Sequence, residues 1–551
     1  MLPMTWRPHP HKKYEPTAAF TALTERMKKA GREGASASTL PATVTTPRKL
    51  AAGSALRVVN LFGNAAVGLI LTPMIVHSLG DRMYGIWALV ASFIGYYGLL
   101  DLGLTSAATR YVARAIGAAD TEECNRIFNT ALFAYIGMAV VAVLVSCGIA
   151  LSSYAIAKRP GDAALFAQLI LILGCYTAVG IPVRAFVGTL AAGCHFEINA
   201  SLDLLALTLR AALTVAVIKM HFGVIALAAA VALSSLPSFL LTTAFVRVRM
   251  PFLSVSLRLV SRQTVKMLLS YGGYTFVAQI ADILRFGVDS VIVSAFVGLA
   301  AVTHYNIGGV LAQYFISTMM AILGIFQSVF SQREGAGDIE GMKSAFFFAT
   351  KIATWASAFI AFGLIVWGKT FIVRWMGAAY TDAYPVLVAL TIGCFFAQAQ
   401  MPAVTLLYST NNHRYFAFAT VCEGIVNVIL SLWLVHSYGM LGVALGTCIP
   451  MVLVKLFIQP WYVCYVCNIS LREYAAKAAR TLLWIAVALS VPLLLAITAL
   501  RPTYPSLVGV ALLSATIYVV PFFLRDLSVR ESRVLLSALL PSMARLVPTE
   551  R

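Results

Sequence analysis

Four polar residues share one stripe of an otherwise apolar stretch: Gln279, Asp282, Arg285 and Asp289, spaced three, three and four apart between residues 268 and 296. That spacing puts them on one face of a helix. An ionisable group at membrane depth costs about 2.5–3.5 kcal/mol on insertion scales, so three in one stripe need a reason. Two readings stand. The stripe walls a water-filled cavity, with Gln279 and Arg285 touching a solute and Asp282 and Asp289 coupling or gating its passage. Alternatively, Asp-Arg-Asp neutralises itself and ties helices together. Further arginines point the same way as the first reading. Arg57 opens the first apolar stretch, Arg184 follows Pro182, and Arg210 lies seven residues from Asp203 on one helical face. With Arg285 these are expected to form a cationic chamber, at least three of them lining one cavity. A planar guanidinium bonds two oxygens at once, which suits a diphosphate. Asn60 and Asn64, four apart, add a polar face for binding. Glu423 with Asn427, and Lys455 with Gln459, are i,i+4 pairs; Glu423 and Lys455 read either as a structural bridge or as a coupling pair. Asp101 reads as a coupling carboxylate or as a structural hinge or cap.

Other motifs resolve to dull readings. Gly363 to Thr370 spell a phosphate-loop pattern, but the intervening residues are the apolar end of a helix, not a loop with free amides after a strand. Cys464 and Cys467 form a C-x-x-C at a helix end, with no second pair and no βαβ context, so no metal site is expected. Asn468-Ile469-Ser470 falls on the inner side, where a glycosylation triplet has no use. With no HExxH, no GxSxG and no paired carboxylates in an outer loop, the chain is not expected to be an enzyme.

The elements that position these residues follow from hydropathy. The chain is 60% hydrophobic, 11% charged and has a mean hydropathy of +0.84, more apolar surface than a soluble fold of this length can hide. Long apolar runs without alternation predict an all-α integral membrane protein. At about 20 apolar residues per crossing, about fourteen transmembrane helices are expected, near 55–77, 84–108, 128–150, 165–189, 201–219, 223–245, 268–296, 301–329, 345–367, 385–408, 416–436, 441–464, 481–499 and 506–524. Seven of the 41 Lys and Arg (Arg82, Lys158, Arg159, Lys219, Lys369, Arg374 and Arg501) fall in alternate turns. Most of the rest fall in the opposite set, so the positive-inside rule puts both termini in the cytoplasm. The net charge of +19 then reads as topology and attraction to membrane lipids, not as nucleic-acid binding.

The chain also repeats at an offset of about 217 residues. Gly80 recurs as Gly298, Gly117-Ala118-Ala119-Asp120 as Gly335-Ala336-Gly337-Asp338, Arg126 as Lys343, His195 as His413 and Gly223 as Gly439. The expected organisation is a basic cytoplasmic tail over 1–54, an N-lobe of six helices with its connecting loop over 55–266, a pseudo-symmetric C-lobe over 267–480, two additional helices over 481–524 and a cytoplasmic tail over 525–551. In the first tail Phe20, Leu23 and Met27 share a helical face; a start at a downstream Met such as Met27 is the other reading.

Leu79-Gly80-Asp81-Arg82-Met83-Tyr84-Gly85-Ile86-Trp87, followed by Leu100-Asp101-Leu102-Gly103-Leu104 and Arg110-Tyr111, resembles the polysaccharide flippases of the Wzx type, in the multidrug/oligosaccharidyl-lipid/polysaccharide (MOP) exporter superfamily. Asp289-Ser290-Val291-Ile292-Val293, Gly298, Tyr305-Asn306-Ile307, Trp375 with Gly377 and Tyr380, and Gly439-Met440-Leu441-Gly442-Val443-Ala444 fit the second half of that pattern. The resemblance implies two lobes rocking about a central cavity in the bacterial inner membrane. It implies a polyprenyl diphosphate-linked oligosaccharide cargo for surface polysaccharide such as O-antigen, with other polysaccharide-assembly proteins as partners. No cofactor or nucleotide is expected; the drive would be the membrane potential or a gradient of H⁺ or Na⁺. A cation-coupled multidrug antiporter of the same superfamily is the alternative, and a membrane polysaccharide polymerase or ligase the third.

Overall fold

The computed structural model describes residues 47–522 apart from 158, 411, 413 and 499–503, together with Asp526. The expected basic tail up to residue 46, Lys158, His413, Arg501 and nearly all of the C-terminal tail lie outside the described residues. The rest is helical, with no strand among the described residues.

The described helices group as α1 to α14 in sequence order. α1 is Pro47–Leu79, starting inside the stretch expected to be tail. α2 (Asp81–Gly117), α3 (Thr121–Leu151), α4 (Pro160–Ala192), α5 (Phe196–Lys219) and α6 (Gly223–Arg249) complete the first set. α7 covers 262–296 and contains a π-helical turn at Ile283–Gly287. α8 is Leu299–Gly335 and α9 Ile339–Trp375; α10 joins Ala383–Ala399 to Met401–Ser409 at a bend of 41°. α11 (414–438) and α12 (439–466) are the legs of a hairpin that reverses at Gly439, where φ is 56° and ψ is −135°. α12 carries a second π-helical turn, Val454–Ile458. α13 (Leu471–Thr498) and α14 (Tyr504–Pro521) follow. By length and apolarity, nine of the described helices qualify as crossings, or ten with the bent α10. One of the nine is the α11–α12 hairpin taken whole, so this measure does not itself return the expected fourteen.

The repeat is visible in local chemistry. Gly80 precedes α2 at φ 76° and Gly298 precedes α8 at φ 125°, a region open to glycine and strained for other residues. Asp120 caps α3 by accepting from Glu123 N at 2.9 Å, and Asp338 caps α9 by accepting from Gly341 N at 2.9 Å. Arg126 pairs with Glu123 at i,i+3, and Lys343 pairs with Glu340 at the same spacing. The phosphate-loop look-alike, residues 363–370, lies inside the uninterrupted α9, so no phosphate-binding loop forms there.

Alternate turns gather at opposite ends of the bundle. At the end with few basic residues, the short-turn face, α2 and α8 cross so closely that a Cβ on Gly85 would overlap the Leu299 carbonyl. Thr303 Oγ1 donates to Asp81 O at 2.6 Å, and Tyr380 OH donates to Asp81 Oδ1 at 2.6 Å. His304 Nδ1 lies 2.6 Å from Asp382 Oδ1. Burial, then the bond to the Asp81 carboxylate, pushes the Tyr380 hydroxyl pKa up. The Asp81 and Gly85 contacts join the first half of the chain to the second at this end, and the His304–Asp382 contact ties two turns of the second half. At the opposite, basic face, Asn125 and Asn129 instead pin the α6–α7 linker through Phe252, Ser254 and Ser256.

Candidate functional site

A cavity of about 990 Å³ lies between α2, α7, α8, α10, α11 and α12. It runs from Ala88 and Asn306 to Tyr408 and Phe416, which stand at the basic-face ends of α10 and α11. It stops short of the Gly85–Leu299 crossing. Its charged lining is Asp282, Arg285 and Lys455, and its neutral polar lining includes Asn306, Gln313 and Gln398. A second cavity of about 470 Å³ is lined by Asp101, Thr105, Arg184 and Gln279, and shares Gly95, Asp282 and Ile283 with the first.

Both cations of the larger cavity sit on π-helical turns, Arg285 in α7 and Lys455 in α12. Such turns widen a helix and leave carbonyls without their usual partner. In α7 these are taken by side chains: Tyr96 OH donates to Gly287 O at 2.7 Å, and Asn427 Nδ2 to Arg285 O at 2.8 Å. Glu423 of α11 sits between the two cations, Oε1 2.8 Å from Arg285 Nε and Oε2 3.5 Å from Lys455 Nζ. Asp282 Oδ1 lies 3.6 Å from Arg285 Nη1. The Lys455 ammonium rests 4.8 Å above the Phe416 ring. Arg285 is buried, and its Nη2 makes no hydrogen bond among the described residues. Two cations therefore face two carboxylates, as close ion pairs in which Arg285 Nε, Arg285 Nη2 and both Glu423 oxygens are buried without a well-aligned hydrogen bond among the described residues.

Asp289, one π turn away, belongs to a separate buried network. Tyr305 OH donates to its Oδ2 at 2.5 Å, and Thr447 Oγ1 is 3.2 Å from the same oxygen. Thr447 is also 3.3 Å from Asn427 Oδ1 and from Val443 O, and Ser431 Oγ lies 3.0 Å from Asn427 Oδ1 and 3.2 Å from Val443 O. Asp289 is 3% exposed and has no cationic partner among the described residues.

The expected site residues thus separate. Arg285, Lys455 and Asp282 line the larger cavity with Glu423 behind them, while Asp101, Arg184 and Gln279 line the smaller. Arg57, Asn60, Asn64 and Arg210 line neither. They form a polar seam where α1 meets α5: Arg57 stacks 4.7 Å over Phe196, Asn60 Nδ2 donates to Ala200 O at 2.7 Å, and Arg210 Nη2 donates to Asn64 Oδ1 at 3.2 Å. The expectation that at least three arginines line one cavity is corrected, because the larger cavity holds Arg285 and the smaller Arg184. The net cationic chamber is corrected too, since Glu423 and Asp282 balance Arg285 and Lys455. Spacing along a helix fixes depth and face within that helix, but not which neighbour the face meets. Glu423 and Lys455 stand as an ion pair at 3.5 Å, a geometry that both of their expected roles share. Ser431 and Thr447 around Asp289, and Tyr135 and Thr105 around Asp101, were not singled out from the sequence, and Tyr305 entered only through the family pattern; lone hydroxyls in apolar helices carry no signal there.

Comparison with known proteins agrees with this architecture. Residues 50–330 match the family model described as polysaccharide biosynthesis protein. The chain is similar to the uncharacterized membrane protein EpsK of Bacillus subtilis (strain 168), 22% identical over 406 residues, covering 71% of this chain and 79% of that one. It is similar to a putative O-antigen transporter of Shigella flexneri, 23% identical over 440 residues, covering 74% and 97%. Among solved structures, an inward-facing multidrug resistance MATE family transporter of the MOP superfamily superposes with a TM-score of 0.66 at 17% identity, covering 76% of this chain and 99% of that one. The lipid II flippase MurJ in an inward closed conformation gives 0.65 at 14% identity, covering 88% and 99%. The family match spans more than half of the chain, and with it the protein belongs to the polysaccharide biosynthesis protein family, built on the fold of the MOP transporters.

Proposed function

We propose that this protein is a flippase that carries polyprenyl diphosphate-linked oligosaccharide across the bacterial inner membrane by alternating access, in fourteen crossings with the basic face in the cytoplasm. The observation that carries this reading is the pair of cations, Arg285 and Lys455, set on π-helical turns at the wall of a 990 Å³ cavity whose lining reaches Tyr408 and Phe416 toward that face. An entering diphosphate takes the donors of Arg285 and Lys455 in exchange for Glu423, while the sugar meets the amides of Asn306, Gln313 and Gln398. Gln398 is buried with an unbonded Oε1, ready for a sugar hydroxyl. The close crossing at Gly85–Leu299, with the cavity lining reaching toward the other end, fits one half-cycle; rocking the halves would exchange the two ends.

Two drives act without ATP. An inside-negative potential favours outward movement of an anion by about 2.3 kcal/mol per charge per 100 mV. The Asp289 cluster supplies a second, because its oxygens outnumber the hydroxyl protons available to them. Such an acceptor-rich cluster suits H⁺ or a hard cation such as Na⁺, which takes oxygen ligands. We assign no catalytic step to the chain.

The test is translocation of a labelled lipid-linked oligosaccharide in proteoliposomes. The double variant Arg285→Gln/Glu423→Gln keeps the site neutral overall and should lower translocation by about 5–150-fold, the usual range for losing 1–3 kcal/mol of coupling. Unchanged translocation with both this variant and Lys455→Gln would remove the diphosphate site. The MATE-like fold keeps a second reading in view, cation-coupled drug export through Asp282 and Glu423; export of a cationic dye with no lipid-linked sugar transport would select it.

A further inference from the structure

At the short-turn face one histidine stands between two carboxylates from different halves of the chain. His304 lies near the start of α8, with its side chain only 15% exposed. Its Nδ1 is 2.6 Å from Oδ1 of Asp382, in the turn between α9 and α10. Its Nε2 is 3.6 Å from Oδ2 of Asp81, the first residue of α2. The carboxylates of Asp382 and Asp81 are 53% and 40% exposed, so protons reach the cluster from this side. The ring also faces Tyr380, centroids 4.9 Å apart, and Tyr380 OH donates to the other oxygen of Asp81. His77, at the end of α1, meets the Tyr380 ring edge-on and lies 2.9 Å from Met376 O. Arg82, beside Asp81, pairs with Asp162 of α4.

The two contacts of His304 differ in what they join. The Asp382 contact stays within the second half, whereas the Asp81 contact crosses to the first. A neutral imidazole carries a single N–H. The 2.6 Å contact with Asp382 claims that proton for Nδ1, which leaves Nε2 as a bare lone pair facing Asp81. Two acceptors then oppose each other across the halves. A second proton makes Nε2 a donor and the ring a cation, and the crossing contact becomes an ion pair. Histidine is the side chain that ordinarily makes this change between about pH 5 and 8. Thr303 Oγ1 donates to the Asp81 main-chain oxygen and Tyr380 OH to its carboxylate, and neither bond needs the second proton. We propose that His304 is a proton-operated latch of the short-turn end. Protonated, it ties α8 to Asp81 of α2 and holds the halves together; neutral, it keeps Asp382 and lets go of Asp81. Acid on the short-turn side therefore favours the shut form, and a rise in pH frees this end to open. From the transport reading the latch takes only that the halves part here; the nature of the cargo does not enter.

Hydrogen–deuterium exchange of the full chain in nanodiscs, without cargo, at about pH 5.5 and about pH 8, either side of the usual histidine range, tests this. Wild type is compared with His304→Gln at each pH, so the intrinsic exchange rate cancels. At the lower pH the short-turn ends of α2 and α8 should be about two- to fivefold better protected in wild type, the range for an accessible ion pair. At the higher pH the difference should vanish. Asp81→Asn keeps an acceptor for Tyr380 and leaves His304 on Asp382. Measured against Asp81→Asn/His304→Gln, it should show no pH-dependent advantage. An equal wild-type advantage at both pH values would make His304 a fixed tie to Asp382 and overturn the latch. So would no difference at either pH, or a pH-dependent advantage that survives Asp81→Asn. None of these readouts involves the central cavity, so the diphosphate site stands or falls separately.

Discussion

Asp101 in the first half and Asp289 in the second are both buried carboxylates that bond a tyrosine and a threonine, yet their charges are handled differently. Asp101 accepts from Thr105 Oγ1 at 2.5 Å and Tyr135 OH at 3.0 Å, and Arg184 Nη1 stands 3.5 Å away. Asp289 has Tyr305 and Thr447 in the same roles but no cation among the described residues. Arg184 thereby links the first carboxylate, on α2, to α4. The second is left with neutral partners in a low-dielectric place, where an isolated charge is costly. It becomes tolerable when a mobile cation or proton supplies what Arg184 supplies to Asp101. On the proposed coupling role, the first is a balanced site and the second a loadable one.

The largest contrast is expected from removing each charge. Asp289→Asn should lower transport by about 5–150-fold while leaving Tm unchanged or higher, because it removes an unpaired buried charge. Asp101→Asn should do the reverse, lowering Tm because Arg184 loses its partner, with the smaller effect on transport. Parallel proteoliposome transport and thermal unfolding measure both. If the two variants behave alike, the distinction between a balanced and a loadable site fails.

How much of this could be read from residue order depends on whether the signal is local. Gly80, Gly298, Gly223 and Gly439 all adopt positive φ, and Asp120 and Asp338 cap their own helices. These roles are set within a few residues, so the repeat exposes them. The helical membrane architecture is legible for the same reason, since hydropathy is a property of each segment. The candidate site is not local. Asp289 meets Tyr305 and Thr447 on two other helices and, through Thr447, Asn427 on a third, and Thr447 by itself is one hydroxyl in an apolar run. Arg285 and Lys455 attract notice as charges, but the π turns that place them against Glu423 leave no mark in the spacing. Arg57 and Arg210 attract equal notice and belong to the α1–α5 seam.

The next contrast concerns the fixed cation. Arg184→Gln should turn the first site toward the second kind, an uncompensated carboxylate. Arg184 is partly exposed, so the cost should fall below the roughly 3–5 kcal/mol typical of breaking a fully buried pair. The double variant Arg184→Gln/Asp101→Asn should recover part of that loss, because neither charge is then left alone. Chemical denaturation of the single and double variants in the same detergent gives the coupling. Strict additivity would mean that Arg184 serves the smaller cavity without serving Asp101.

The smallest contrast is between the two tyrosines. Tyr135→Phe and Tyr305→Phe each remove one hydroxyl donor to a carboxylate, a loss of about 1.5–3 kcal/mol for a bond to a charged group. At Asp101, Thr105 and Arg184 remain, so Tyr135→Phe should lower stability modestly and leave the ion dependence of transport unchanged. At Asp289 only Thr447 remains as a donor, so Tyr305→Phe should leave the carboxylate more dependent on its mobile cation. The concentration of H⁺ or Na⁺ giving half-maximal transport should then move, whereas Tyr135→Phe should not shift it. A shift of equal size in both variants would show that the hydroxyl, and not the absence of a fixed cation, sets the behaviour of these sites.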